Sequence, residues 1–307
     1  MTELMRAAAF AEPGSPEVLK VMELPAPQAG PGQVRVRVRA AGVQPFDTAV
    51  RAGWLPPYLG EVDFPRIPGN EFAGVVDQVG ADVTGIAVGA EVLGFSRLFA
   101  YAEYIVVPAT DVTAKPAAVP WEVAGGLTSG VQTAELAIDG MGLAEGETLL
   151  VHGAAGSVGT AAVQIARRRG ATVIGTAREA NHDYLRALGA VPVAYGEGLA
   201  DRVRALAPGG IDAALDGAGG HALEVSLELV RDRARIVTLV EHGKAAALGV
   251  RVVQGERTAE RLGRYARLYA EGAFAFPVRR TYRLEEAADA HREIETGHGQ
   301  GKVVLAI

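Results

Sequence analysis

The run Leu149–Gly159, LLVHGAAGSVG, constrains this chain more than any other stretch. Apolar, β-prone residues lead straight into a turn of glycine, alanine and serine, and the turn opens a helical pattern. In that setting a glycine-rich turn binds a pyrophosphate. Gly156 lets backbone approach the phosphates, because any side chain there would occupy their space. Gly159 permits close helix–strand packing, and Ala154 stands where the dinucleotide fingerprint often has its first glycine. The pyrophosphate would lie over the free N–H groups of Ser157, Val158, Gly159 and Thr160, at the positive end of the helix dipole. The competing reading is a turn needed only for packing.

The surroundings favour the first reading. Across residues 122–272, short β-branched runs alternate with longer helical patterns: Thr148–Val151, Val158–Arg169, Thr172–Gly175, Ala180–Leu188, Val191–Ala194, Leu199–Leu206, Ile211–Leu215, Ala222–Arg231, Arg235–Val240. Strand–helix alternation at this spacing predicts βαβ units and a parallel sheet covered on both faces. Residues 1–118 have another rhythm, rich in Val, Gly and Pro. Gln33–Ala40, QVRVRVRA, puts valines on one side and arginines on the other, as in a half-buried strand. Phe72–Val79, Ala90–Leu93 and Ile105–Val107 read as further strands. Leu284–Glu295 reads as a helix, and Gly301–Ile307 as a strand that returns to the first domain. The expectation is an α/β chain with a β-rich domain over 1–121 and 274–307 and a doubly wound domain over 122–273.

Composition removes several classes. The 307 residues include no cysteine, which excludes disulfides, Cys nucleophiles and Cys-ligated zinc or iron–sulfur sites. A net charge of -6 argues against nucleic acid as a partner. Glu3, Arg6 and Glu12 interrupt the N-terminal stretch where a signal peptide would be apolar. No apolar run approaches the about 18 residues of a membrane span. A cytoplasmic protein with no membrane partner is expected.

Cofactor choice is read at the end of the second strand of such a domain. NAD sites want a carboxylate there for the ribose 2′-hydroxyl. This chain has Gly175-Thr176-Ala177-Arg178, with no acid at the strand end. A guanidinium at Arg178 suits a 2′-phosphate, so NADPH is expected over NADH. Glu179 blurs the signal, and a solvated surface arginine is the other reading.

Seven stretches together resemble the medium-chain dehydrogenase/reductase superfamily, in its zinc-independent quinone oxidoreductase branch. They are Ala41–Gly53 (AGVQPFDTAVRAG), Pro68–Val76 (PGNEFAGVV), Val88–Val92, His152–Gly159, Gly175–Arg178, Asp216–Gly220 (DGAGG) and Gly301–Leu305 (GKVVL). The resemblance implies a GroES-like catalytic domain beside a Rossmann domain, the cofactor in the cleft, and a homodimer. It places Tyr195 beside the 2′-phosphate and adenine, although a strand-edge aromatic fits that residue too. It puts Gln132 or Thr133 near the nicotinamide. Asp216, near the end of the fourth strand, is read as positioning backbone by the cofactor ribose rather than as a base. Leu239 completes the candidate cofactor set.

The departures from the family pattern fall in the active site that the resemblance implies. Zinc relatives carry Cys and His where this chain has Gln44 and Asn70. Six histidines remain, with His182, His221 and His242 well separated and His291 and His298 seven apart, so no metal is expected. Ala49 replaces a tyrosine found in many quinone reductases. Gly130-Val131-Gln132 replaces Gly-Leu-Thr.

Hydride transfer to a quinone or an enone builds negative charge on the acceptor's carbonyl oxygen, which a hydrogen-bond donor stabilises. Gln44 is the candidate donor, against a reading as a structural loop amide. Tyr58 is the candidate proton donor, against a reading as a wall residue. Phe46, Trp54 and Phe95, with Leu98 and Phe99, read either as an apolar substrate pocket or as ordinary core. Asp47 and Arg51 are expected to pair along one helical turn. Two other functions stay open: an enoyl-thioester or natural-product tailoring reductase, and a non-catalytic NADPH-binding sensor or structural protein.

Overall fold

Residues 3–297 and 299–307 are described by the computed structural model; His298 lies outside the described residues. The N-terminal strands β1 (Leu4–Ala9) and β2 (Lys20–Pro25) pair antiparallel as a separate ribbon. Strand β3 (Gln33–Val43) follows, then helix α1 (Pro45–Arg51) and strands β4 (Glu71–Val79), β5 (Glu91–Phe95), β6 (Tyr104–Pro108) and β7 (Val112–Ala114). Helix α2 (Trp121–Met141) is the longest in the chain's described residues.

Strand β3 shows how an alternating pattern is used. Val34, Val36 and Val38 are buried, and Arg37 and Arg39 are exposed, as alternation dictates. Arg35 departs from the expected polar face, being 4% exposed. Its guanidinium donates to Asp77 at 2.7 Å and to Glu3 at 2.8 Å, and it lies over the Tyr104 ring. Its charge is matched by two carboxylates, so the outward face is covered there rather than solvated.

Next come strands β8 (Thr148–His152), β9 (Thr172–Ala177), β10 (Val191–Ala194), β11 (Ala213–Asp216), β12 (Ile236–Thr238) and β13 (Arg251–Val252). Between them run α3 (Ser157–Arg168), α4 (His182–Ala187), α5 (Leu199–Leu206), α6 (His221–Leu229) and α7 (Ala245–Leu248). The strands form one parallel sheet in the order β10-β9-β8-β11-β12-β13. The order reverses at β8, between β9 and β11, which is the switch point where open α/β sheets bind ligands beyond their strand ends. The core beneath is aliphatic and includes Leu150, Ile174, Val203, Ala214 and Ile236.

Helix α8 (Ala259–Ala270), strand β14 (Val278–Arg283), helix α9 (Ala287–Glu295) and strand β15 (Lys302–Ala306) close the chain. Strand β15 pairs with β3 antiparallel and with β14 parallel, so the terminal segment returns to the first sheet. That sheet has the order β14-β15-β3-β4-β5-β7, with β6 also on β3. Two compact units result, residues 3–129 with 257–297 and 302–307, and residues 130–256 with 299–301. The division falls within α2 and before α8, whereas the sequence borders are drawn at 121/122 and 273/274.

Candidate active site

The glycine-rich turn lies at the switch point of the second unit. Gly153 turns the chain at φ +70, and its N–H reaches Thr176 Oγ1 at 3.3 Å. The Ala154 N–H donates to the Thr176 carbonyl at 3.1 Å, so Thr176 ties the turn to the end of β9. A methyl on Gly159 would meet the Gly153 carbonyl oxygen at 2.4 Å, so packing alone demands glycine there. Gly156 differs. It caps α3 at an ordinary φ of -71, and a methyl there would meet only the Gly153 oxygen, at 3.4 Å. The protein itself makes no demand for glycine at 156, so the open space beside it suits a ligand. The N–H groups of Ser157, Val158 and Gly159 precede the first intrahelical bond, Thr160 N to the Gly156 carbonyl. This cradle fits a pyrophosphate.

Arg178 follows β9 and Tyr195 follows β10, and both are exposed. The Arg178 Nε donates to the Tyr195 hydroxyl at 2.9 Å, so two residues singled out separately in the sequence form one feature. Asp216 is fully buried and accepts from the N–H groups of Ala218 and Gly219 and from the Thr238 hydroxyl. It thereby shapes the turn after β11 and ties it to β12. Leu239, half-buried, donates its N–H to the Asp216 carbonyl at 2.8 Å. Gln132 is fully buried and Thr133 half-buried on α2. His152 ends β8 at 1% exposure; burial lowers its imidazole to about 4, so it is neutral near pH 7.

The first unit holds a buried polar cluster that the sequence reading touches at Gln44 and Asn70, where zinc relatives carry Cys and His. Lys302 enters from β15, Glu71 from β4, Gln44 from the end of β3, Ser129 from α2, and Asn70 from the turn before β4. The Lys302 ammonium lies 2.5 Å from Glu71 Oε1 and also donates to Gln44 Oε1. Gln44 Nε2 donates to Asn70 Oδ1, and the Ser129 hydroxyl reaches the same oxygen at 3.1 Å. Glu71 Oε2 accepts from the Ser129 N–H at 2.6 Å. Glycines make the room: a methyl on Gly42 would lie 2.1 Å from Glu71 Oε1, and one on Gly126 would lie 2.8 Å from Lys302 Cγ. The GKVVL motif was visible as a family mark, but its lysine carried no assigned role. Glu71 and Lys302 are 231 residues apart, and only the pairing of β15 with β3 brings them together.

Asp47 and Arg51 do not form the expected pair. Asp47 is fully buried and accepts from the Gln44 and Gly69 N–H groups and the Tyr101 hydroxyl. Arg51 instead reaches Glu295 of α9 at 2.5 Å and the Gly14 carbonyl. Near the helix start a carboxylate finds free backbone donors, which compete with a side chain one turn on. Burial pushes Asp47 up to about 7, against the pull of Lys302 and its hydrogen bonds.

Phe46 and Trp54 meet edge to face at 5.9 Å, and Trp54 remains 47% exposed. Phe95 is buried at the end of β5. Tyr58 is exposed, and its carbonyl accepts from Arg97.

Comparison with known proteins shows what the chain as a whole is similar to. A family profile described as "Alcohol dehydrogenase GroES-like domain" matches residues 30–117, and one described as "Zinc-binding dehydrogenase" matches 188–305. A quinone oxidoreductase of Rattus norvegicus is 30% identical over 99% of this chain and 98% of its own. The pikromycin polyketide synthase component PikAII of Streptomyces venezuelae is 34% identical over 97% of this chain, which spans only 8% of that protein. The solved quinone oxidoreductase of Coxiella burnetii superposes with a TM-score of 0.90 at 29% identity, covering 99% of this chain and 100% of that one. The zinc in the second description does not suit the donors here. The chain has no cysteine, and Glu71 is already neutralised by the Lys302 ammonium. Among the described residues no three His, Cys, Asp or Glu side chains gather to hold a metal. No helix among them is long and apolar enough to cross a membrane.

Proposed function

As this chain belongs to the medium-chain dehydrogenase/reductase superfamily, in its quinone oxidoreductase-like branch, we propose that it reduces a quinone or an α,β-unsaturated carbonyl with NADPH and without zinc. Relatives in this superfamily are oxidoreductases that use a nicotinamide cofactor. The observation that carries the choice of NADPH is the Arg178–Tyr195 hydrogen bond at a strand end with no carboxylate. A guanidinium held by a neighbouring hydroxyl is set to take a 2′-phosphate.

In this reading the N–H groups of Ser157, Val158 and Gly159 hold the pyrophosphate over the space beside Gly156. Ala154 and Thr176 keep the turn in shape. Asp216 and Leu239 shape the ribose side, and Gln132 and Thr133 serve the nicotinamide end. The bound cofactor supplies a hydride, and the chain's own part is to bind, orient and exclude water. Phe46, Trp54 and Phe95 give apolar contact to the acceptor. Gln44 and its neighbours supply the polar end, where the carbonyl oxygen gains charge. A quinone takes its protons from water, so Ala49 in place of a phenol is no obstacle; Tyr58 is the proton donor for acceptors that need one at carbon. A homodimer acting on a small molecule in the cytoplasm belongs to the same proposal.

The likeness to polyketide synthase segments favours a second reading, in which the acceptor is an unsaturated thioester. One experiment separates the two. Loss of nicotinamide absorbance is followed with NADPH and NADH in parallel, against a small quinone, a short enone and an enoyl thioester, with a chelator throughout. Fast NADPH oxidation by quinone or enone supports the first reading. Oxidation by the thioester alone supports the second. NADPH binding without oxidation by any acceptor returns the chain to a sensor or structural role.

A further inference from the structure

We infer that Asn70 presents the N–H that receives the acceptor's carbonyl oxygen, and that Lys302 and Gln44 are positioning residues that aim it. This rests on the reductase reading above.

The orientation follows from groups whose hydrogen-bonding role cannot be exchanged. An ammonium has three donors and no acceptor. The side chain of Lys302 is 1% exposed, so the Gln44 atom that meets it must be the carbonyl oxygen. That turns the Gln44 NH₂ toward Asn70, and the Asn70 atom facing it must then be Oδ1. A second path is compatible with this polarity. Arg257 is also donor-only; its Nη2 approaches Ser129 Oγ at 3.4 Å and its Nη1 reaches the Asn70 carbonyl at 3.2 Å. The Ser129 hydroxyl therefore has its hydrogen free for Asn70 Oδ1, at 3.1 Å. The Lys302 ammonium thus forces the amide of Asn70 to hold its oxygen inward, and the Ser129 hydroxyl is free to donate to that same oxygen.

Its nitrogen is left over. Asn70 is only 5% exposed, yet Nδ2 has no partner among the described residues, and it is not sealed from solvent. A fixed N–H that has no protein acceptor and is open to solvent is a ready partner for an incoming oxygen. Its position is held tightly. The Ser96 N–H donates to the Asn70 carbonyl, and Gly69, at φ +92, packs so close to the Tyr101 ring that no side chain fits there. Gln44 gives its oxygen to Lys302 and one of its two N–H groups to Asn70, which fixes the direction of its amide.

The chemistry matches this polarity. As hydride adds to the acceptor carbon, the π electrons move to the carbonyl oxygen. That oxygen accepts the Asn70 N–H and then takes its proton from water, so Asn70 gives up none of its own. A fixed donor aimed where charge develops favours the transition state over the ground state.

Asn70→Ala removes the donor. Gln44→Glu keeps an oxygen for Lys302 but sets a second one against Asn70, which turns Nδ2 inward while Asn70 itself remains. Both variants are compared with the unaltered protein for turnover of quinone and enone, for NADPH affinity and for melting temperature. A further readout needs no turnover: the absorption shift of 4-nitrophenolate, a stand-in for the oxyanion, on binding in the presence of NADP⁺. Each variant is expected to lose kcat by about 10²-fold with NADPH affinity kept, in line with removal of one oxyanion donor. Each is also expected to lose the nitrophenolate shift. Turnover of Asn70→Ala within about threefold of the unaltered protein overturns the assignment. If the unaltered protein reduces no acceptor, the reductase reading fails. The donor site then stands if the nitrophenolate shift is present and vanishes in Asn70→Ala, and falls if the shift is absent or persists.

Discussion

Arg178 donates from its Nε to the hydroxyl of Tyr195 across 2.9 Å. The sheet brings the two residues side by side. Strands β9 and β10 run parallel with Thr176 opposite Val193 and Ala177 opposite Ala194, so the next pair in register is Arg178 and Tyr195. Arg178→Ala is expected to weaken NADPH binding by roughly 1.5–3 kcal/mol and to leave NADH nearly unchanged. Tyr195→Phe, which frees the guanidinium but keeps its charge, is expected to fall between. Calorimetric titration with both cofactors measures this, and equal losses for NADPH and NADH would sink the 2′-phosphate assignment.

Gly156 and Gly159 stand three residues apart but are glycines for different reasons. At Gly159 a methyl strikes backbone at 2.4 Å, so Gly159→Ala is expected to lower both stability and cofactor affinity. At Gly156 the nearest atom is 3.4 Å from the added methyl, so Gly156→Ala is expected to keep its melting temperature and lose cofactor affinity. Thermal unfolding beside fluorescence titration separates the two. Full cofactor affinity in Gly156→Ala would show that the space beside it is not used by the phosphates.

The Lys302–Glu71 pair is buried to 1% and 0% side-chain exposure. Lys302→Met leaves the Glu71 carboxylate without its cation, at a loss of roughly 3–5 kcal/mol. Combining it with Glu71→Gln removes the stranded charge and should recover most of that loss, because the Ser129 N–H still finds an oxygen. Urea unfolding of both variants is the test. If the double variant is no better than the single one, the pair is not coupled as its geometry requires.

Burial sets the acid side of the stability profile. It lowers His152 to about 4 and His291 to about 3, the latter with help from Arg51. As pH falls from about 6.5 toward 4, the unfolded chain takes up protons that both native imidazoles refuse, so stability falls with pH. For His152 alone the loss by pH 4 is about 3 kcal/mol. Asp47 acts in the opposite sense. Its native carboxyl, raised to about 7, keeps a proton that the unfolded chain releases above about 4, so its contribution falls as pH rises. Two histidines outweigh one aspartate. Melting temperature should therefore drop between pH 6.5 and 4, less so in His291→Gln and more so in Asp47→Asn. An unchanged slope in His291→Gln would contradict the buried neutral imidazole.

Much of the second unit was legible along the chain. Its strands alternate with helices, and each element is recognisable from nearby residues through β-branched runs, helical spacing and glycine turns. The strand Val191–Ala194 and the helix Leu199–Leu206 have the boundaries read from sequence. The β1–β2 ribbon, helix α8 and strand β14 were not read, because their patterns are short or mixed and take meaning only from what they pack against. Arg35 was placed with the solvated arginines because alternation says which face a side chain takes, not whether two carboxylates wait there.

By itself the sequence determined the doubly wound fold, the family, and the glycine-rich turn that opens α3, because these depend on residues within a few positions of one another. The tertiary structure alone decided the polarity of the cluster around Asn70. Two residues near the ends of separate segments, Arg257 and Lys302, meet Gln44, Asn70, Glu71 and Ser129 only once β15 lies beside β3 and α2 packs over them through Gly125 and Gly126. A hydrogen-bond network has a direction, and here that direction is set by the donor-only ammonium of Lys302. Linear spacing says nothing about which ends will meet.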